Sequence, residues 1–259
     1  MTKIPYLLGS LFALTAGTAA MAAPAPNLTT EQIIERNVAA RGGLDAWRAV
    51  KTLTMSGELD AGGKKNVELP FVVKMKRPYK SRLEIRFQDK TALQIYDGVQ
   101  GWKYRPFLGR EEVEPYSPAE TKEAASWAGL DGPLIDYQAK GTQVALEGGD
   151  TLDGSPAYKL KLTLRDGEVR HLWVDANTFL ERKIEGEPRR LDGKMHSVAI
   201  FYRDYRPEKG LAVPHVFETV VDGVRQTRRM TIDRVSVNQA IDDALFARPQ
   251  LAADSISVQ

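Results

Sequence analysis

The chain has 259 residues, no cysteine, and 36 Lys and Arg against 34 Asp and Glu, for a formal net charge of +2. The lack of cysteine excludes disulfides and a lipidation site. The balanced charge, with no run of Lys and Arg long enough to suggest nucleic acid, excludes the basic stripe of a nucleic-acid binder, and the length is ample for one large core.

Lys3 is followed by an apolar run from Ile4 to Leu14 and then by Ala20-Met21-Ala22, a small-x-small cleavage pattern. This reads as a secretory signal peptide over residues 1–22. The run is too short to span a bilayer, and no later segment approaches ~20 apolar residues. The expected product is a soluble exported protein, most simply periplasmic. Residues 23–28 read as a flexible Pro/Ala leader. Thr29 and Gln32 fit a capping box, and the helix they open carries Ile33, Ile34 and Val38 on one side before stopping at Arg41-Gly42-Gly43. A second short turn, Leu44–Val50, carries Trp47.

Strands are predicted at 52–60, 66–77, 80–88, 91–97 and 100–105, then at 142–150, 156–165, 168–175, 178–186, 194–205, 213–221 and 224–237. Six Asp-Gly pairs, at 97, 131, 153, 166, 192 and 222, supply hairpin-turn chemistry along this run. The alternation is clean in places. Val67, Leu69, Phe71, Val73 and Met75 share one face, as do Leu83, Ile85 and Phe87, and Tyr158, Leu160, Leu162 and Leu164. The meander breaks at 106–141. There Ser117-Pro118-Ala119-Glu120 starts a helix, with Pro at its first position, that runs to about Ala128 and offers one large apolar residue, Trp127. Asp131–Tyr137 reads as a shorter turn, and Ile241–Phe246 as a segment that pins Leu245 and Phe246 onto the body. A single domain over 29–249 is expected, followed by a disordered tail, 250–259.

About twelve strands with one apolar face have two solutions. A two-sheet sandwich fills its core without a void. A strongly curved, incomplete barrel covered by the helices encloses more space than its side chains occupy, since about eight strands already suffice to fill a closed barrel. In the second case the apolar lining is Leu53, Met55, Leu69, Phe71, Val73, Met75, Leu83, Ile85, Phe87, Leu93, Ile95, Trp102, Leu160 and Leu162. The cover is Ile34, Val38, Trp127, Leu130 and Leu134. The Trp127 helix has a stripe of mostly Ala, too small for firm docking, which marks it as a lid or as a surface helix with one aromatic peg.

Catalytic chemistry is not legible. His171, His196 and His215 lie on three different predicted strands with no metal or triad spacing. Glu111-Glu112 and Asp242-Asp243 are adjacent pairs that point to opposite faces of a strand. There is no phosphate loop or nucleophile elbow. No catalytic residue, metal or cofactor is expected, and the chain is read as a non-enzyme.

Several stretches resemble the LolA-like family of outer-membrane lipoprotein-sorting proteins. They are Lys76-Arg77-Pro78, Tyr96–Trp102, Asp131–Tyr137, Gly154–Leu160 with its continuation through Asp175, and Ile241–Phe246. The resemblance implies a mainly β, antiparallel open half-barrel of eleven to twelve strands covered by two or three short helices over an apolar cavity. It implies a soluble periplasmic carrier of lipoprotein or other lipid acyl chains, moving them towards the outer membrane. No functional residue carries over by motif. The partners expected are acyl chains and inner- and outer-membrane transport proteins, with transient membrane contact, no nucleic acid, and a monomeric state. A lipid-responsive sensor of the same fold is the alternative. An outer-membrane β-barrel and an exported hydrolase are the less favoured ones.

Overall fold

The computed structural model describes residues 28–60, 67–224 and 227–250. The predicted signal peptide, the leader before Leu28 and the tail after Gln250 lie outside the described residues.

The first helix, α1 (Thr30–Ala40), opens with both halves of its capping box. The Thr29 hydroxyl accepts from the Gln32 N–H at 3.3 Å, and the Gln32 side chain accepts from the Thr29 N–H at 3.0 Å. Its inward face buries Ile33 and Ile34. Gly42 then reverses the chain at φ +111°, where an added Cβ would lie 2.4 Å from the Gly210 carbonyl oxygen. Only glycine fits there. A five-residue helix, α2 (Leu44–Arg48), follows and buries Trp47.

The strands are β1 (Thr52–Asp60), β2 (Glu68–Lys76), β3 (Lys80–Phe87), β4 (Lys90–Tyr96), β5 (Gly101–Arg105) and β6 (Arg110–Pro115). After α3 (Pro118–Trp127) come β7 (Gln143–Leu152), β8 (Ser155–Thr163), β9 (Val169–Asp175), β10 (Glu181–Leu191), β11 (Lys194–Glu208), β12 (Leu211–Val221) and β13 (Arg228–Val237). They form one antiparallel sheet of 13 strands in the order β6-β5-β4-β3-β2-β1-β13-β12-β11-β10-β9-β8-β7. The strand beyond the twelve predicted is β6. Its sequence, REEVEP, has one aliphatic residue among charges, so it shows no alternation.

Type I′ turn geometry closes β7–β8 at Asp153-Gly154 and β10–β11 at Asp192-Gly193, with positive φ at all four residues. Lys209-Gly210 does the same for β11–β12 without an aspartate to announce it. Asp131-Gly132 closes no hairpin. Asp131 is buried and bridges Arg77 at 2.8 Å and Lys140 at 2.6 Å, which ties the 128–142 segment to the sheet.

The sheet curls. Lys103 on β5 and Arg189 on β10 both pair with α3, through Glu120 at 2.5 Å and Glu123 at 2.9 Å. Seven strands separate β5 from β10, which in a flat sheet would put them roughly 38 Å apart, whereas a ten-residue helix spans only ~15 Å. The edge strands β6 and β7 do not pair, so the curl stays open. At the seam of first and last strands a bulge interrupts β1–β13 pairing at Ser56/Gly57. A Cβ at Gly57 would lie 1.9 Å from the Thr231 carbonyl oxygen, so glycine lets the backbones close in where the sheet bends.

Two apolar clusters fill one end of the half-barrel. Trp47, Leu53, Met55, Phe71, Leu130, Ile135 and Ile232 form one, under α2. Ile33, Ile34, Leu134, Leu160, Leu162 and Leu172 form the other, under α1. Val38 touches both.

Candidate functional site

Paired residues on neighbouring strands share a face, so the register identifies the concave surface. Leu53 opposes Met75, Met55 opposes Val73, Leu59 opposes Leu69, Phe71 opposes Ile85 and Val73 opposes Leu83. This is the face that meets Trp47, Leu130 and Ile135. On it Leu53, Met55, Phe71 and Met75 are buried, while Leu69, Val73, Leu83 and Ile85 keep part of their surface open. Phe87 is 40% exposed and meets Phe107 edge-on at 5.7 Å. Leu160 and Leu162 have no exposed surface, because α1 packs directly onto them.

Leu93, Ile95 and Trp102, expected in the cavity lining, sit on the other face. Leu93 opposes Glu84, Ile95 opposes Arg82, and Trp102 opposes Ile95. The hairpin between Phe87 and Lys90 has a two-residue turn, so paired residue numbers add to an odd sum. Inward positions are therefore odd on β3 and even on β4. Ile95 is nonetheless fully buried. The convex side near it holds the C-terminal turn, where Lys76 donates to the Ile241 carbonyl at 2.7 Å and Arg82 to the Leu245 carbonyl at 3.0 Å. Phe246 is buried there, as the pinning segment implied.

The residues expected to form the cover divide into two groups. Ile34, Leu130 and Leu134 are buried parts of the end clusters, and Val38 is half-buried between them. Ile34, Val38, Leu44, Leu134 and Tyr137 also border an outer cleft of about 420 Å³, whose rim carries the Arg48–Asp136 ion pair at 2.5 Å.

Trp127 belongs to a different element. Its helix, α3, starts with its own capping box, Ser117 with Glu120, and buries none of its residues. It lies across the mouth of the half-barrel, held by charge. Glu120 binds Lys103, Glu123 binds Arg189, and Lys122 reaches Glu168 and, at 3.7 Å, Glu187. Beneath it Tyr116 packs on Gly101, where no Cβ could be accommodated, and burial together with Glu120 and Glu123 pushes its hydroxyl pKa up.

Two consequences follow for the strap. Partly exposed ion pairs are screened by salt, so 1 M NaCl should accelerate proteolysis within 118–127 several-fold while the sheet stays intact. Burial alone would raise the Glu120 and Glu168 carboxyls, but together Lys103 and Ser117 at Glu120, and Lys122 and Arg170 at Glu168, outweigh it and hold both below the usual range. A depressed carboxyl contributes stability above its unfolded pKa of ~4.3 and loses it as pH falls through the folded value. Hydrogen exchange should therefore find α3 protected from neutral pH to about pH 5 and released below about pH 4. Trp127→Ala should lower the melting temperature by no more than about 2 °C, because the ring is 40% exposed. A larger loss would make the helix part of the core.

A buried polar network escaped the sequence reading. The Arg41 guanidinium binds Glu181 at 2.8 Å and the Ala212 carbonyl at 3.1 Å, and stacks over Trp47 at 4.6 Å. The Tyr205 hydroxyl donates to the other Glu181 oxygen at 3.1 Å. Burial would lower the Arg41 pKa, but the charge and hydrogen bond of Glu181 together with Tyr205 and Tyr202 outweigh it and raise it. Burial and the same charge push Tyr205 well up. Asn37 adds a bond to the Phe179 carbonyl at 2.7 Å. These groups cross-link α1 to β10–β12 at the closed end. With a sequence separation of 140 between Arg41 and Glu181, no local pattern signals the pair.

No protein-family model matches the chain, and no curated protein does. Solved structures do match. A LolA superfamily protein from Nitrosomonas europaea superposes with a TM-score of 0.56 at 14% identity, over 85% of this chain and 98% of that one. A structure described as an outer membrane lipoprotein-sorting protein domain from Vibrio parahaemolyticus gives 0.54 at 12% identity, over 83% and 94%. A DUF1329 family protein from Desulfovibrio piger gives 0.55 at 15% identity, over 84% and 96%. The chain has the LolA-like fold. At such identities the likeness is one of backbone architecture. Among the described residues no group of three or more His, Asp or Glu could hold a metal, and no helix is long and apolar enough to cross a membrane.

Proposed function

We propose that this protein is a soluble periplasmic carrier that holds acyl chains of lipoproteins or other lipids against its concave face for transport towards the outer membrane. The observation that carries the reading is α3. A helix with no buried residue spans the mouth of an apolar half-barrel and is tethered by charge to both sides. An acyl chain entering beneath it meets Leu83, Ile85, Phe217 and Met230, which the end clusters leave partly open.

Burying a methylene contributes ~0.8 kcal/mol, so a dozen acyl carbons contribute roughly 10 kcal/mol before ordering costs. That supports micromolar or tighter binding without a specific polar contact. Moving α3 sacrifices partly exposed ion pairs, for which fully exposed pairs at ~0–1 kcal/mol each set the lower end, and no buried side chain of the helix itself, so cargo can enter and leave without unfolding the core. The expected signal peptide and the resemblance of the fold to lipoprotein-sorting proteins support the periplasmic assignment. Native mass spectrometry of protein taken from the periplasmic fraction should find co-purifying lipid or lipoprotein. Empty protein in every preparation, or absence from that fraction, would overturn the reading.

A further inference from the structure

The inward face of the sheet is not uniformly apolar near α3. On β13, Arg228 precedes Met230 and Ile232 at intervals of two, and both of those side chains belong to the concave cluster. The register agrees: Arg228 opposes Thr219, and Met230 opposes Phe217. On β10, Arg189 opposes His196, two residues from Val198, which lies in the apolar cluster with Ile200 and Val221. Arg189 and Arg228 therefore project into the mouth from neighbouring regions of the same curved face. The Arg228 side chain stays exposed at the rim, where the Arg189 and Glu123 charges act on it in opposite directions.

The other cations of this rim are satisfied by the sheet itself or nearly so. Arg170 binds Glu168 and Glu187, and Arg105 binds Glu114 at 3.1 Å. The Arg228 side chain makes no hydrogen bond or ion pair with a described residue, and Arg189 has one carboxylate, Glu123, which belongs to the strap. Among the described residues Glu123 is thus the one carboxylate paired with either guanidinium, and it sits on the weakly docked element.

We propose that Arg189 and Arg228 form a subsite for the anionic head group of an acyl ligand, a carboxylate or a phosphate, which displaces Glu123 and thereby loosens α3. This rests on the carrier reading, since it places the polar end of a chain whose tail lies along Leu83, Ile85 and Met230. Guanidinium groups suit either oxyanion through paired N–H donors. Position favours it too: a head group at the rim stays near water while the tail is buried. Because Glu123 and the ligand compete for the same donors, head-group binding and opening of the strap are coupled, and a neutral head group would bind without that coupling.

The test is calorimetric titration of the full exported chain with dodecanoate, dodecyl phosphate and dodecanol. Wild type should bind at least one of the two anions about tenfold more tightly than the alcohol, the scale of one charge-assisted hydrogen bond. Arg189→Gln and Arg228→Gln should erase that advantage and leave dodecanol binding unchanged, while Arg228→Lys keeps most of it. Glu123→Gln should strengthen anion binding and expose α3 to protease. Preference for dodecanoate alone points to free fatty acids, for dodecyl phosphate alone to phospholipid head groups, and for both to the shared charge. Circular dichroism melts of each variant confirm that the fold is intact. Equal binding of all three probes to wild type, or an anion advantage that survives both Gln variants, overturns the subsite and leaves the carrier standing. Binding of none of the three overturns both.

Discussion

Leu160→Glu is expected to leave the chain largely unfolded. Leu160 has no exposed surface and packs among Ile33, Ile34, Leu134 and Leu172 where α1 seals the sheet. The described residues of that cluster offer an entering carboxylate no cationic partner. Loss of the leucine's burial and cavity formation cost ~2–5 kcal/mol, and an uncompensated charge adds several more. Total stabilities of ~5–15 kcal/mol leave little margin. A urea titration followed by far-UV circular dichroism should show either no folded baseline or a midpoint lowered by more than half. Phe71→Glu, in the cluster under α2, should behave similarly. A Leu160→Glu protein with near-wild-type stability would mean that α1 lifts away from the sheet, making the closed end a second opening.

The second large effect concerns Arg41 and Glu181. Glu181→Leu leaves a buried guanidinium with only the Ala212 carbonyl and the Trp47 ring, and also removes the acceptor of the Tyr205 hydroxyl. Breaking a buried pair in this way costs ~3–5 kcal/mol. Replacing both partners by apolar residues of similar size is often neutral, so Arg41→Met with Glu181→Leu should recover much of that loss. The measurement is a double-mutant cycle from denaturant melts, with an expected coupling energy of ~2 kcal/mol or more. Additive losses would show that the two side chains stabilise independently. The pair's location has a functional corollary. It stiffens the closed end, whereas α3 is tethered by partly exposed charges, so in the proposed carrier role a chain would enter on the strap side.

Local chemistry wrote much of this architecture legibly into the sequence. Thr29 with Gln32 and Ser117 with Glu120 mark helix starts because a capping box is closed within four residues. Asp153-Gly154 and Asp192-Gly193 mark hairpins because few residue pairs tolerate two positive φ angles. The odd-numbered apolar residues of β2 and β3 mark one shared face because strand side chains alternate. The poor apolar stripe of α3 marked a weakly docking helix, and none of its residues is buried.

What escaped depends on pairing across the chain. Leu93, Ile95 and Trp102 alternate as cleanly as the residues of β3, yet a two-residue turn flips their parity and sends them to the convex face. Only the register decides that, because alternation specifies two faces without naming which is inside. Asp131-Gly132 reads as a turn, but Arg77 and Lys140 recruit the aspartate as an internal tether. Arg41, Glu181 and Tyr205, like Arg189, Arg228 and Glu123, are ordinary charged or polar residues in one dimension. Folding brings them together from distant segments and removes enough water for their charges to matter. Propensity and alternation thus determined that the chain forms an antiparallel meander with short capped helices. The curl of the sheet, which sets what its concave face meets, determined where the apolar surface stays open and which charges guard it.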